Sequence, residues 1–303
     1  MPTINHPSLS QITIGSFDGL HAGHQTIIHH LVAGAHSQGQ KAVLVTFYPN
    51  PTVFFKKIHT PFYLTTNSEK IALLQKLGID ETIILPFNQE LAQSSAEDFI
   101  RYLLQRVPFN TMYIGYDFHF GADRAGDRGK LFELGKKYGF TVQVQQPVDL
   151  NATPISSSMI RSIISEGRVE DLSALLKRWY SMEGEVIHGD GRGKKMGIPT
   201  ANIAYEPQKL LPPNGIYATR IQIGVETRPA ATNVGFRPTF YETPSIKTVE
   251  AFILDWECDI YGKTVTLEFV RRLRDEIQYQ NTQALTAQIR KDIALTRKII
   301  DHE

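Results

Sequence analysis

Residues 15–24 read Gly-Ser-Phe-Asp-Gly-Leu-His-Ala-Gly-His, between the apolar run Gln11–Gly15 and the amphipathic stretch His24–Ser37. This spacing predicts a turn from a strand into a helix. Small residues let the backbone approach a ligand, and a helix N-terminus offers free N–H groups and a partial positive charge. His21 and His24 can donate hydrogen bonds to phosphate oxygens there. As an isolated pattern, this is equally a tight turn with two surface histidines, but the strand–turn–helix context favours nucleotide binding.

The first half of the chain repeats this alternation of short apolar runs and amphipathic stretches. The apolar runs are rich in Val, Ile and Phe, which is typical of buried parallel strands: Gln11–Gly15, Lys41–Phe47, Thr82–Pro86, Thr111–Gly115 and Phe140–Val144. Helices are predicted at His24–Ser37, Ser68–Leu77, Ala96–Arg106 and Lys130–Lys137. The pattern predicts an α/β domain with an open, Rossmann-like parallel sheet, whose ligands lie beyond the carboxyl ends of the strands.

The second half of the chain has a different hydrophobic periodicity. Strands are predicted at Gly215–Ile223, Arg228–Val234, Thr248–Leu254 and Thr264–Val270, separated by turns and not by helices. Strict alternation in the last of these indicates a half-buried antiparallel strand, and several such strands suggest a small β-barrel. A terminal helix follows at Thr282–Ile300. The 303 residues therefore divide into two predicted domains, 1–182 and 183–303.

Composition excludes several classes of protein. The formal net charge of +1 argues against a nucleic-acid or anionic-membrane binder, because no global positive field attracts a polyanion. The single cysteine, Cys258, excludes an intrachain disulfide framework and a multi-cysteine metal site. The sequence shows neither a secretory signal nor an apolar stretch long enough to cross a bilayer. We expect a soluble, cytoplasmic protein with two domains.

Two further segments of the first half can contribute to a nucleotide site. Ile155–Arg161 reads as a hydroxyl-rich N-cap leading into a helix, and Arg161 there has the planar geometry that suits phosphate. Gly115–Asp127 follows a predicted strand and mixes aromatic residues with glycines, so it can hold a planar ring. A plain helix start and a plain glycine-rich loop remain the alternatives.

The second half contains a basic, glycine-dense segment, Gly184–Asn202. It lacks the spacing of a Walker phosphate loop, so a solvated hairpin is one reading. In the other reading its glycines and basic residues wrap a polyphosphate, while Thr200 and Asn202 supply oxygen ligands for Mg²⁺. Glu250 lies on a predicted strand with apolar neighbours, and the pattern alone favours a surface position over a catalytic base.

Taken together, these segments resemble a known family. GSFDGLHAGHQ, TFYPNP, YIGYDFHFGADRAGD and ISSSMIR are similar to the signature segments of the FMN adenylyltransferase module of bacterial bifunctional riboflavin kinase/FMN adenylyltransferases. The resemblance implies that His21 and His24 are catalytic. It also implies an ATP site formed by Gly15, Phe17, His21, Gly23, His24, Ser157, Ser158 and Arg161. Asn50, Asp117 and Phe118 are implied on the flavin side. Asn50 replaces the family's usual histidine, and it can bind a phosphate but cannot carry a positive charge.

The resemblance continues through the second half, where GKKMGIPTAN, NVGFRPTF, TVEAFILD and RLRDE are similar to the riboflavin kinase module. It implies that Glu250 is the general base and that Thr200 and Asn202 position Mg²⁺. Kinase ATP contacts are implied at Gly191, Gly193, Lys195, Thr200 and Asn202, and flavin contacts at Arg271 and Arg274.

The family function is therefore the leading expectation: riboflavin is phosphorylated to FMN, and FMN is adenylylated to FAD, with ATP and Mg²⁺ in both steps. Two alternatives are a paralogue with only one activity and a flavin-binding protein without turnover.

Overall fold

A computed structural model describes residues 9–150, 153–189, 197–236 and 247–303. The chain forms two compact units. The first contains the chain up to Thr60 together with Asn67–Ser156, and the second contains Pro61–Thr66 and Ser157–Glu303. Each unit is described by itself below. Gly191, Gly193 and Lys195 lie outside the described residues.

The first unit alternates strands and helices, as the sequence predicts. Its elements are β1 (Ser10–Ile14), α1 (Ala22–Ser37), β2 (Ala42–Tyr48), α2 (Pro51–Lys56), α3 (Asn67–Lys76), β3 (Glu81–Pro86), α4 (Gln89–Gln93), α5 (Ala96–Arg106), β4 (Phe109–Gly115), α6 (Arg128–Tyr138), β5 (Thr141–Gln145) and the short pair β6 (Asp149–Leu150) and β7 (Thr153–Pro154). Five parallel strands form one sheet in the order β3-β2-β1-β4-β5. This confirms the predicted open α/β sheet.

Both faces of this sheet are buried. Ile12 and Val43 contribute to a core with Phe99 of α5 and Leu131 of α6. Neighbouring strand positions on the opposite face pack with α1 and α3, in a cluster that includes Leu44, Ile28, Leu31 and Leu74. Because successive side chains on a strand point to opposite faces, two buried faces require apolar residues of both parities. This explains the continuous apolar runs in the sequence.

The strand order creates a switch point between β1 and β4. The chain moves from β1 to β2 on one side, and β4 later pairs with β1 on the other side. The connections that leave the carboxyl ends of β1 and β4 therefore diverge and leave a crevice, which is where open α/β sheets bind ligands. The segments that begin at Gly15 and Gly115 border this crevice.

The second unit contains a closed, antiparallel barrel. Its elements are α7 (Ser157–Ser165), α8 (Leu172–Leu176), β8 (Tyr180–Ile187), β9 (Ala201–Tyr205), β10 (Gly215–Ile223), β11 (Glu226–Phe236), β12 (Lys247–Ile253), β13 (Thr264–Arg274) and α9 (Thr282–Asp301). Six strands close in the order β10-β11-β12-β9-β8-β13. The predicted barrel and terminal helix are confirmed, and α9 packs against β10, β11 and β13. Among the described residues, no helix is long and apolar enough to cross a membrane.

Candidate functional sites

A cavity of about 570 Å³ opens at the switch point of the parallel sheet. Residues from both flanking connections line it, and they include six that the sequence assigns to the ATP or flavin site: Gly15, Phe17, His24, Asn50, Asp117 and Phe118. The structure thus brings together three segments that are far apart in sequence. The part of the cavity near α2 and α5 is aromatic, with Phe47, Phe55, Phe87 and Phe99 among its lining residues. An apolar, aromatic wall beside a polar turn suits a ligand with a planar ring and a phosphate.

His21 and His24 are fixed against each other at the start of α1. His21 is the N-cap, and its Nδ1 accepts a hydrogen bond of 3.4 Å from the backbone N–H of His24. The two rings stack with their centroids 3.7 Å apart. The centroid of the Phe17 ring lies 5.0 Å from that of the His24 ring. Gly23 allows this arrangement, since a Cβ there would lie 3.2 Å from the His21 ring. The pair is therefore preorganised before any ligand binds.

Both histidines are held neutral. Burial lowers the pKa of His21 from 6.5 to about 4. Burial also lowers the pKa of His24 well below its ordinary value, and the nearby His21 and Lys70 lower it further. The buried Nδ1 of His24 has no hydrogen-bond partner. A bound polyphosphate would favour the protonated rings, because a nearby negative charge raises the pKa of a histidine.

Lys70 is a buried cation in this site that sequence analysis missed. It lies on α3 with 2% of its surface exposed, and its ammonium group donates a hydrogen bond of 2.8 Å to the carbonyl oxygen of Ser16. A longer hydrogen bond of 3.4 Å reaches the hydroxyl of Thr46. Burial lowers the pKa of Lys70, whereas the charge of Asp18 opposes this shift. Lys70 therefore fixes the turn after β1 and places positive charge beside His24.

Asn50 has a structural role in addition to its place in the cavity wall. It is 5% exposed and caps α2, with its Oδ1 accepting a hydrogen bond of 2.9 Å from the backbone N–H of Thr52. Asn is a favoured N-cap residue because its side-chain oxygen satisfies a free N–H of the first turn. The aromatic residue Phe55 on the same helix is 64% exposed and lines the cavity.

The predicted triphosphate residues Ser157, Ser158 and Arg161 lie on α7, which belongs to the second unit. Arg161 packs its guanidinium 3.8 Å from the centroid of the Phe62 ring and donates a hydrogen bond of 3.0 Å to the Phe62 carbonyl oxygen. This contact fixes the arginine within its own unit. Its proposed contact with a nucleotide bound by the first unit stays a prediction.

A second cavity, of about 280 Å³, lies in the barrel unit. Thr200, Glu250 and Asn233 contribute its polar wall, and α9 contributes an apolar one through Leu285 and Ile289. The strand register aligns the polar residues: Glu250 on β12 pairs with Asn202 on β9 and with Asn233 on β11. Glu250 therefore faces a cavity, whereas the pattern of its strand alone favours a surface position.

The donors near Glu250 suit a hard cation. Thr200 offers a hydroxyl oxygen and Asn202 an amide oxygen, and Mg²⁺ prefers such oxygen ligands while it retains waters or phosphates. The described residues contain no group of three or more His, Cys, Asp or Glu side chains that could hold a metal by themselves. Thr200 and Asn202 thus supply two neutral oxygen ligands of the kind that Mg²⁺ accepts.

The two predicted flavin arginines of the barrel lie in different places. Arg274 lines the cavity with Glu250, and its guanidinium forms an ion pair with the buried Asp292 of α9 at 2.7 Å. Arg271 instead lines a separate cleft between β13 and the end of α9, and it pairs with Glu303 at 3.3 Å. Only Arg274 therefore shares the cavity of the predicted catalytic glutamate.

An open parallel sheet with a histidine-bearing turn at its switch point, followed by a closed barrel with a polar cavity, defines a two-domain nucleotide-dependent transferase. Comparison with known proteins supports this class of protein. The FAD synthetase family matches residues 3–159, and the riboflavin kinase family matches residues 176–300. The chain belongs to the family of bifunctional riboflavin kinase/FMN adenylyltransferases, as the sequence motifs indicate.

Relatives of that description span nearly the whole chain. The protein of Buchnera aphidicola subsp. Acyrthosiphon pisum is 35% identical over 299 residues, which cover 96% of this chain and 93% of the relative. The Escherichia coli K12 protein is 31% identical, with coverage of 95% and 91%. Among solved structures, a Streptococcus pneumoniae protein described as a macrolide-efflux protein superimposes with a TM-score of 0.87 at 28% identity, covering 97% of this chain and 96% of that one.

Proposed function

We propose that the chain makes FAD from riboflavin in two ATP-dependent steps, one for each of the two predicted domains. The barrel phosphorylates riboflavin to FMN, and the parallel-sheet unit adenylylates FMN to FAD. Membership of the family supports both activities and does not favour a single-activity paralogue or a non-catalytic binder. The single observation that carries the proposal is that each family match coincides with a cavity lined by that module's motif residues. The activity boundary at residues 182 and 183 is part of the proposal.

In the kinase step, Glu250 takes the proton from the terminal hydroxyl of the ribityl chain as its oxygen attacks the γ-phosphorus of ATP. This breaks the bond between the γ-phosphorus and the bridging oxygen, and ADP leaves. Thr200 and Asn202 would hold Mg²⁺ together with the ATP phosphates, and a bound Mg²⁺ would supply charge neutralisation for phosphoryl transfer. Glu250 lies between Asn202 and Asn233 in the strand register and lines the cavity, which supports this role.

In the adenylyl transfer, a phosphate oxygen of FMN attacks the α-phosphorus of ATP and pyrophosphate leaves. No covalent intermediate with the protein is required, so alignment and charge stabilisation supply the catalysis. His21 and His24 provide N–H donors at the helix N-terminus, and Lys70 adds positive charge beside them. Ser157, Ser158 and Arg161 hold the triphosphate in this proposal, while Asn50, Asp117 and Phe118 contact the flavin substrate.

The test is a product assay with each substrate supplied separately. Riboflavin with ATP and Mg²⁺ should yield FMN and then FAD, and FMN with ATP and Mg²⁺ should yield FAD and pyrophosphate, both followed by chromatography. A chelator should stop both reactions, and excess Mg²⁺ should restore them. Formation of neither product from either flavin would overturn the proposal. FAD from FMN without FMN from riboflavin would restrict the chain to one activity.

A further inference from the structure

Asn233 lies beside Glu250 in the barrel cavity and has no assigned role. In the register of the barrel, β12 lies between β9 and β11, so Asn202, Glu250 and Asn233 form one row across three strands. Directly paired residues on antiparallel strands point to the same face, with Cβ atoms about 4.5–5.5 Å apart. Asn233 and Glu250 both line the cavity. A ligand that reaches the Glu250 carboxylate therefore passes close to the Asn233 amide.

The Asn233 side chain is incompletely satisfied. Its Oδ1 is buried and has no hydrogen-bond partner. Leaving a buried acceptor without a donor costs about 1–3 kcal/mol, so native structures rarely retain one without a reason. The wall of a cavity is a place where a ligand can supply the missing donor. This oxygen therefore indicates the kind of group that binds there: one that donates a hydrogen bond.

The requirement for a donor selects between the two substrates of the barrel. At neutral pH the phosphate oxygens of ATP act as acceptors and carry negative charge, so they are poor partners for an amide oxygen. The ribityl chain of riboflavin carries several hydroxyl groups, each of which can donate. Phosphate and Mg²⁺ are assigned to Thr200 and Asn202, and Asn202 lies on the opposite side of Glu250 from Asn233.

The apolar part of the cavity indicates how riboflavin is oriented there. Ala231 and Phe252 form the cross-strand pair two residues along from Asn233 and Glu250, and both line the cavity near Leu285 and Ile289 of α9. A flavin ring against these residues places its hydroxylated chain over the row that contains Asn233. We infer that Asn233 binds the hydroxylated side chain of riboflavin, with its Oδ1 accepting a hydrogen bond from a substrate hydroxyl next to the one that Glu250 deprotonates. This inference rests on the proposed kinase function.

The test compares Asn233→Ala with the wild-type chain in the kinase reaction. The KM for riboflavin should rise tenfold or more, because a hydrogen bond to the substrate is lost, whereas the KM for ATP and the Mg²⁺ requirement should change less than twofold. Asn233→Ser, which restores a hydroxyl acceptor, should recover part of the riboflavin affinity. Lumiflavin, which has the ring but no hydroxylated chain, should inhibit the wild type and Asn233→Ala equally.

Two controls separate binding from folding. Asn110 on β4 has the same feature, a buried Oδ1 without a partner, but it lines neither cavity. Asn110→Ala should therefore leave the riboflavin KM unchanged. FAD formation from supplied FMN depends on the other proposed active site and should persist in Asn233→Ala.

An unchanged riboflavin KM in Asn233→Ala would overturn the inference, as would an increase in the KM for ATP equal to that for riboflavin. The latter result would place Asn233 on the phosphate side. A wild-type chain that does not phosphorylate riboflavin would instead overturn the proposed kinase function itself.

Discussion

The imidazole rings of His21 and His24 stack with their centroids 3.7 Å apart and an interplanar angle of 20°. Stacking at this distance is compatible with two neutral rings and unfavourable for two cations. The low pKa of His21 follows from its burial, and that of His24 follows mainly from burial, with further lowering by electrostatic interaction with His21 and Lys70. Both imidazole rings of this turn are therefore uncharged at neutral pH.

This pair makes the first unit sensitive to acid. A histidine in the unfolded chain binds a proton near pH 6.5, whereas folded His21 binds one only at about pH 4. Between these values the unfolded chain holds more protons, so the free energy of unfolding falls as the pH is lowered through this window. His21 alone contributes a loss of up to about 3 kcal/mol.

Urea denaturation between pH 4 and pH 7, followed by far-ultraviolet circular dichroism, measures this loss. His21→Asn keeps an N-cap side chain and should flatten the pH dependence. His29→Asn, an exposed change on the same helix, should leave it as in the wild type. The same slope in all three proteins would contradict the assignment of the pKa shift to His21.

The two activities should separate by mutation. Glu250→Gln removes the general base, so we expect FMN formation to fall about 10²–10⁴-fold, while FAD formation from supplied FMN is retained. His24→Asn should have the reverse effect, with a loss of about 10²–10³-fold in FAD formation. Initial rates with riboflavin and with FMN as the supplied substrate measure the two activities separately. Glu185→Gln, an exposed change on β8, is the control for the barrel. Equal loss of both activities in either site variant would contradict two independent sites.

Lys70→Met tests the buried lysine. The change removes the hydrogen bond to the Ser16 carbonyl and one of the charges that lower the pKa of His24. We expect FAD formation to fall at least about tenfold, the value of a lost charged hydrogen bond of about 1.5–3 kcal/mol. The pKa of His24 should rise, which a pH titration of its imidazole signals by NMR would measure. Lys76→Met, on the exposed face of the same helix, should change neither. A lower rate with an unchanged pKa of His24 would assign Lys70 a purely structural role.

The sequence predicts the local features of this molecule well and the contacts between distant segments poorly. The strand–turn–helix at Gly15–His24 depends on neighbouring residues, and the structure contains it as predicted. Lys70 looks like an ordinary surface lysine of an amphipathic helix, since lysine is almost never fully buried without a partner. Only the packing of α3 against the turn after β1 shows its partner, the Ser16 carbonyl. Asn233 is likewise visible only through the register between β11 and β12.

The terminal helix α9 shows the same limit. Leu285 and Ile289 predict a helix with an apolar stripe, and the structure confirms the helix. Yet these two residues line a cavity, and the most buried residues of α9 are the polar Asp292 and Thr296. Periodicity predicts which face is apolar, but not that this face borders a substrate cavity. The burial of the Asp292 carboxylate is explained by its ion pair with Arg274, which lies on β13, 18 residues earlier in the chain.

The ion pair between Arg274 and Asp292 should be the main polar attachment of α9 to the barrel. The two side chains are 17% and 6% exposed and form a charged hydrogen bond of 2.7 Å. Asp292→Ala leaves a cation largely buried without its counter-ion, so we expect a loss of about 3–5 kcal/mol in the free energy of unfolding. Arg274→Met combined with Asp292→Ala should recover part of this lost stability.

Both tryptophans, Trp179 and Trp256, lie in the barrel unit, so urea denaturation followed by tryptophan fluorescence reports this unit alone. Arg297→Ala breaks a pair with Asp255 whose side chains are 47% and 69% exposed, and it should cost less than about 1 kcal/mol. Equal costs for Asp292→Ala and Arg297→Ala would show that burial does not strengthen the pair on α9.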